Sequence, residues 1–272
     1  VASVAVIGNL VKDIVAGAEP RPGGAVFYTA RALAALGVSE DVQLVTRCAE
    51  EDAASFLPVL QEFGLPVAWR AARETQTFSF HYEGDHRVME VVALGDQWQE
   101  EDIREWVEEE IGDARWIMLG ALTREDFTRD AILALVEGDR RLLVDGQAIV
   151  RLRRLGPLAE DGDVNPAVYS LIAGLKLNDE EAMTLVGSME PEALRALEVP
   201  EIIVTKGSKG ALVVTADVAE LVPAVKIDGP VDPTGAGDTF WVSYLLARRD
   251  GVEPAEAAAR ASRFVAQMIS SR

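Results

Sequence analysis

The chain has 272 residues, 49% of them hydrophobic, which is enough to bury one large core. A formal charge of −19 argues against nucleic acid or an anionic membrane surface as partner, since both need clustered Lys and Arg. The longest apolar runs, such as Val4–Ile7 and Leu142–Val144, are far too short to span a bilayer.

The N-terminus, Val1-Ala-Ser-Val4, reads as a strand entering a core. It has no basic region and no cleavage-site pattern, so no signal peptide is expected. The single cysteine, Cys48, allows no internal disulfide and fits a reducing, cytoplasmic compartment. It reads as a small, half-buried hydrophobe.

Val4-Ala-Val-Ile-Gly8 is a short apolar run ended by Gly, a buried strand opening a βα unit. Residues 24–36 carry apolar positions at helical spacing and stop at Gly37. A strand is predicted over 42–46 and a helix over 50–63, ending at Gly64. The alternation resumes with strands at 116–119, 142–145, 171–176 and 202–205 and helices at 124–136 and 179–186. Helices at 236–249 and 254–269 close the chain. Such alternation predicts a mostly parallel sheet covered on both faces by helices.

One stretch breaks the pattern. Residues 75–80 and 88–94 alternate and are rich in Thr, Phe and Val, with Glu83-Gly-Asp85 between them, which predicts a β-hairpin. Residues 14–16 add a further strand to it. This reads as a small lid beside the main domain; the other reading is an antiparallel edge of the main sheet. The acidic runs at 108–110 and 179–181 read as solvated helix faces.

The chemistry is concentrated in Asp232-Pro-Thr-Gly-Ala-Gly-Asp-Thr-Phe240. Pro233 turns the chain, and Gly235, Ala236 and Gly237 open an apolar helix. The N–H groups of that first turn lack intrahelical acceptors and point outward with the positive end of the dipole. A phosphoryl group can approach them closely because no side chain intervenes. Asp238 in the same turn is also what a plain helix N-terminus favours. The run as a whole sets an anion hole beside a carboxylate, the pair that phosphoryl transfer to an alcohol requires. The dipole is expected to lower the pKa of Asp238 and keep it ionised. A general base contributes about 10²–10⁴ in rate. No G-x-x-x-x-G-K-[ST] occurs, no G-x-G-x-x-G follows the first strand, and the protein-kinase motif set is missing.

These residues match the C-terminal signature of the PfkB (ribokinase-like) carbohydrate kinases, and the resemblance covers nearly the whole chain. Gly8 to Asp13 resembles the family's first strand and substrate-binding Asp. Pro22-Gly-Gly-Ala-Val-Phe-Tyr-Thr-Ala-Arg-Ala-Leu-Ala-Ala-Leu-Gly37 resembles the N-terminal Gly-Gly signature. Lys176-Leu-Asn-Asp-Glu-Glu181 resembles the N-x-x-E segment, and Val204-Thr-Lys-Gly-Ser-Lys-Gly-Ala211 the nucleotide-binding turn. The resemblance implies a single ribokinase-like α/β domain over residues 1–272. That fold is a three-layer α/β/α sandwich with a mostly parallel central sheet, and its β lid would be formed by about 12–22 and 75–95.

It also implies roles. Asp238 is the base and the 235–237 amides (Gly235, Ala236, Gly237) form the anion hole. Asp13 grips substrate hydroxyls beside Gly24 and Tyr28. Asn178, Thr205, Lys206, Gly207, Gly210 and Ser262 border ATP, and Glu181 organises Mg²⁺ through water. Asn178 is equally a helix N-cap, Asp13 a strand-end turn residue, and Gly207 and Gly210 hairpin glycines. A monovalent cation near Asp232 and the oligomeric state, monomer or homodimer, stay open.

The departures from the family concern the substrate. Tyr28 stands where many members have a sugar-binding Asn, Leu94-Gly-Asp-Gln97 replaces the usual Gly-Ala-Asn, and the short segment between Asp13 and Gly23 suggests a reduced lid. Val144-Asp-Gly-Gln-Ala-Ile-Val-Arg151, Thr77-Phe-Ser-Phe-His81 and Arg87-Val-Met89 resemble the family's myo-inositol kinases. The expected acceptor is therefore a cyclic polyol such as myo-inositol, with Gln147 and Arg151 as further contacts and His81 as an outlying one. Ribose, a fructose-type sugar or a nucleoside is the alternative, and a catalytically silent nucleotide- or polyol-binding protein a third reading.

Overall fold

The computed structural model describes residues 2–39, 41–83, 86–227 and 234–270. The strands in chain order are β1 (Val4–Asn9), β2 (Val11–Val15), β3 (Arg21–Gly23), β4 (Val42–Ala49), β5 (Val67–Ala72), β6 (Gln76–Glu83) and β7 (His86–Ala93). They continue as β8 (Trp116–Leu119), β9 (Arg141–Asp145), β10 (Gly156–Pro157), β11 (Gly174–Asn178), β12 (Glu201–Thr205), β13 (Ala211–Val214) and β14 (Ala219–Val222). The helices are α1 (Gly24–Ala35), α2 (Glu50–Gln61), α3 (Glu100–Asp102), α4 (Glu108–Ile111) and α5 (Arg129–Leu135). They are followed by α6 (Gln147–Val150), α7 (Asp179–Val186), α8 (Pro191–Arg195), α9 (Ala236–Arg249) and α10 (Pro254–Ser270).

Among the described residues the larger sheet has nine strands in the order β14-β13-β12-β11-β9-β8-β1-β4-β5. From β5 to β12 neighbouring strands run parallel; β13 and β14 are antiparallel. Side chains alternate between the two faces of a strand, and here both faces are apolar. Ile7, Ile117, Leu119, Leu142 and Val144 pack on one side with Trp98 and Trp106. Val6, Met118 and Leu143 pack on the other with Trp241 and Tyr244 of α9. The result is a three-layer arrangement of helices, sheet and helices.

The smaller sheet has five strands in the order β10-β7-β6-β2-β3. The hairpin is therefore not an edge of the main sheet. Its turn residues Gly84 and Asp85 lie outside the described residues, as does Asp232. The sheet is fuller than the short Asp13–Gly23 segment suggested, because β2 pairs in parallel with β6 and β10 joins from far along the chain.

Two elements differ from expectation. The helix predicted over 124–136 begins only at Arg129. The Arg124 guanidinium is tied to the carbonyls of Ile149, Asp161 and Asp163. Buried Asp126 gathers the amides of Leu122 and Thr123 at 2.8 and 2.9 Å. These bonds hold 122–126 in a turn, and Thr128 then caps the helix by accepting from the Ala131 amide. The strand predicted over 171–176 starts at Gly174, since Asn165 and Pro166 launch a 3₁₀ segment over Pro166–Leu171.

Candidate active site

In the larger sheet β1 has β4, the next strand of that sheet in the chain, on one side and β8, reached only after β5, on the other. The crevice at such a switch point, beyond the carboxyl ends of the strands, is where open α/β sheets bind ligands. Asp13 follows β1, Gln147 and Arg151 follow β9, and Asn178 ends β11. From the opposite direction comes the amino end of α9, capped by Gly235 in the left-handed conformation at φ 77°.

One cavity brings together Asp13, Gly24, Tyr28, Gln147, Arg151, Gly235 and Asp238, with Thr234 beside them and Val11, Ala25, Phe78, Phe80, Met89 and Leu122 as apolar walls. Asp13 is buried at 7% exposure. Its carboxylate occupies the place of a side chain on Gly23, where an added Cβ would lie 2.0 Å from Oδ2. The Tyr28 hydroxyl donates to Asp13 Oδ2 at 3.4 Å. Burial, and then the Asp13 charge, push the Tyr28 phenol up to about 12. Gln147 Nε2 donates to the Ala121 carbonyl, and its Oε1 accepts from Arg151 Nη1 at 2.9 Å. His81 is exposed and lies outside this cavity.

A second cavity of about 570 Å³ takes in Thr205, Gly207, Gly210, Ala236, Gly237 and Ser262, with walls from Val225, Ile227, Phe240, Val265 and Ile269. The first turn of α9 is thus a partition. Gly235 and Asp238 face one chamber, and Ala236 and Gly237 face the other. Among the described residues the amides of Ala236 and Gly237 have no acceptor.

Three further residues fall outside both chambers. Lys206 contributes its backbone amide to the Gly210 carbonyl at 2.8 Å. Asn178 and Glu181 form a capping box: Asn178 Oδ1 accepts from the Glu181 amide at 2.7 Å, and Glu181 Oε2 from the Asn178 amide at 2.9 Å. Among the described residues no three His, Cys, Asp or Glu side chains are grouped to hold a metal ion.

Asp238 corrects one expectation. The helix dipole was expected to lower its pKa, yet burial pushes it up to about 7, with the neighbouring Asp145 charge adding to the rise. Lys176 and Arg151 act in the opposite sense without cancelling it. Desolvation of a carboxylate outweighs one helix end.

Residues 154–272 match the family described as pfkB family carbohydrate kinase. That match takes in the C-terminal 119 of the chain's 272 residues. A nucleoside kinase of Methanocaldococcus jannaschii is 42% identical over 55 residues; the match spans 20% of this chain and 18% of that protein. Among solved structures, the chain resembles in fold a pyrophosphate-dependent kinase of the ribokinase family complexed with a pyrophosphate analogue and myo-inositol. That pair has a TM-score of 0.80 and 22% identity, covering 98% of this chain and 94% of the other. A Burkholderia thailandensis nucleoside kinase in complex with inosine has a TM-score of 0.76 and 20% identity, covering 98% and 90%. Ribokinase from Thermotoga maritima has 0.73 and 16%, covering 99% and 93%. The fold is ribokinase-like.

Sequence reasoning missed Asp145 and Lys176, which form a buried ion pair at 2.7 Å. A signal was present: Lys176 is the one charge in the buried strand Gly-Leu-Lys-Leu-Asn, and Asp145 ends the apolar run Leu-Leu-Val-Asp. A lysine inside such a strand needs a partner to remain charged. The segments that carry Phe78, Phe80 and Met89 were singled out, but not these side chains as cavity walls, since that depends on how the smaller sheet folds over Asp13.

Proposed function

We propose that the kinase domain transfers the terminal phosphoryl group of ATP to a hydroxyl of a small polyol or sugar, with myo-inositol as the best candidate. The observation that carries this reading is the partition by α9, which puts a carboxylate in one chamber and unclaimed amides at the edge of the other. Asp238 would take the proton of the attacking hydroxyl, a contribution of about 10²–10⁴ in rate. The Ala236 and Gly237 amides, with Gly235 setting the turn, would hold the transferred phosphate; one such donor is worth about 10²–10³. Asp13, Gln147 and Arg151 would orient the acceptor's hydroxyls, while Phe78, Phe80 and Met89 cover its C–H face as a lid.

ATP is favoured as donor by the walls of the second chamber. Val225, Ile227, Phe240, Val265 and Ile269 offer a purine an apolar slot that pyrophosphate would not use. Mg²⁺ would be carried in chiefly by the donor phosphates, neutralising their charge, with Glu181 acting through water. A pyrophosphate donor is the second reading, because three of the solved structures of this fold are of pyrophosphate-dependent kinases. A nucleoside acceptor is favoured by the Methanocaldococcus jannaschii and Burkholderia thailandensis relatives.

The test is a matrix of two donors, ATP and pyrophosphate, against myo-inositol, ribose, fructose and inosine. Turnover of myo-inositol with ATP is expected, together with loss of ATP use in Val265→Trp. Turnover of inosine but not myo-inositol overturns the polyol assignment. Use of pyrophosphate alone overturns the nucleotide assignment.

A further inference from the structure

The roles proposed above leave two buried charges beside α9 without a function. Lys176 and Asp145 are 4% and 6% exposed, and their 2.7 Å ion pair lies in the interior of the sheet. Taking two charges out of water costs several kcal/mol per ion before their attraction repays it, and an apolar pair of similar volume often serves stability as well. An ion pair kept at such a position invites a functional account.

Three carboxylates surround this one ammonium. Burial disfavours its charge, but Asp145, Glu181 and Asp238 outweigh that effect and hold the lysine above its ordinary pKa, hence protonated. Arg151 is the other cation acting on Asp238 and Glu181 from the substrate side. The direction of the lysine follows from Gly237. A Cβ on that residue would stand 3.4 Å from Lys176 Nζ, so only the missing side chain separates the ammonium from the backbone of the turn. Gly237 also borders the large chamber. Lys176 is a cation packed against that turn, and its sign suits an anion.

Building on the kinase reading, we infer that Lys176, clamped by Asp145, is a positioning residue for the terminal phosphate of the donor, acting from beneath the Gly237 turn. In the transfer, the acceptor oxygen bonds to the terminal phosphorus as the bond from phosphorus to the bridging oxygen breaks. That electron pair leaves with ADP, and the hydroxyl proton goes to Asp238. Lys176 keeps its protons throughout. Its contribution is a fixed positive field at the phosphate that moves, which the bound ADP product no longer presents. Asp145 keeps the ammonium from swinging toward Glu181.

The full chain tests this by calorimetric titration with the β,γ-imido analogue of ATP and, separately, with ADP. Lys176→Met should weaken the analogue about 10–100-fold, the span of a lost hydrogen bond to a charged group, and leave ADP binding unchanged. In turnover, KM for the donor should rise while KM for the acceptor stays. Because Lys176→Met strands a buried carboxylate, the double variant Lys176→Met/Asp145→Asn, which removes both charges, is measured alongside and should show the same selective loss. Equal weakening of analogue and ADP, or no weakening of either in the folded double variant, overturns the inference. The two readings fail separately. A wild-type chain that phosphorylates no alcohol, yet loses analogue affinity on removal of Lys176, sinks the kinase reading and keeps the phosphate site. An active chain whose analogue affinity ignores Lys176 does the reverse.

Discussion

Tyr28 lies so close to Gly235 that a Cβ added to the glycine would stand 2.5 Å from the tyrosine's Cδ1. Arg31 completes the contact: its guanidinium lies 5.1 Å from the Tyr28 ring centre, and Nη2 donates to the Thr234 carbonyl at 3.4 Å. Helix α1 therefore fixes the position of the turn that starts α9. The same tyrosine touches Asp13, so one side chain links the carboxylate proposed to bind the acceptor to the turn that would hold the phosphate.

Gly235→Ala should be costly for two separate reasons. The left-handed backbone at φ 77° disfavours any Cβ by about 1–2 kcal/mol, and the methyl group must displace Tyr28. Chemical denaturation should show a loss at or above that figure. Adding Tyr28→Ala should return the steric share and leave the backbone share, so the two changes are non-additive. Simple additivity would separate Tyr28 from the turn.

Asp238→Asn should lower kcat by about 10²–10⁴ while leaving donor and acceptor binding measurable by calorimetry. The wild-type profile supplies the companion test. With Asp238 pushed up to about 7, the base is mostly protonated below neutrality, so log(kcat/KM) should climb with pH and level off above that value. The asparagine variant should lose this limb. A profile flat from pH 5 to 8 would remove Asp238 from the base role.

The same raised pKa affects stability in the opposite sense. The folded state holds this proton more tightly than the unfolded chain does, so stability falls as pH rises from the ordinary aspartate value through about 7. Above that pH the wild type carries a buried charge that Asp238→Asn lacks. Thermal unfolding should find the variant more stable than wild type at pH 8, with the gap closing toward pH 5.

Asp126 is a stability test away from the chemistry. It is buried at 3% exposure and accepts from Leu122 N, Thr123 N and Oγ1, and Gln76 Nε2, and Arg153 approaches at 3.6 Å. Burial raises its pKa, and the same hydrogen bonds pull it back. Asp126→Ala strands several donors and should cost about 2–4 kcal/mol in urea unfolding. Gln76 begins β6, so the loss should also loosen the smaller sheet where it joins the main body, read as faster amide exchange in β6.

Local chemistry explains why some of this was legible in the sequence. The helices Asp179–Val186 and Ala236–Arg249 were read to the residue because Asn178, Gly187 and Gly235 mark their ends. Asp13, Tyr28, Gln147, Arg151 and Asp238, scattered along the chain, do share one cavity. The misreadings follow from distant partners. Arg124 is pinned by carbonyls up to 39 residues away, which no local periodicity records. The Asp145–Lys176 pair joins two adjacent strands whose register only the folded sheet reveals. The elevated Asp238 pKa comes from burial first and from the Asp145 charge next, neither of which the local sequence records.

The short strand β10 has a mechanical consequence. By pairing with β7, it ties the chain that leaves α6 to the smaller sheet, and the Arg151–Glu160 ion pair closes that chain into a loop. Any swing of the sheet over the crevice pulls on this loop. The smaller sheet that roofs the Asp13 chamber and the segment that carries Arg151 are thus tied to each other, and a displacement of one would carry the other.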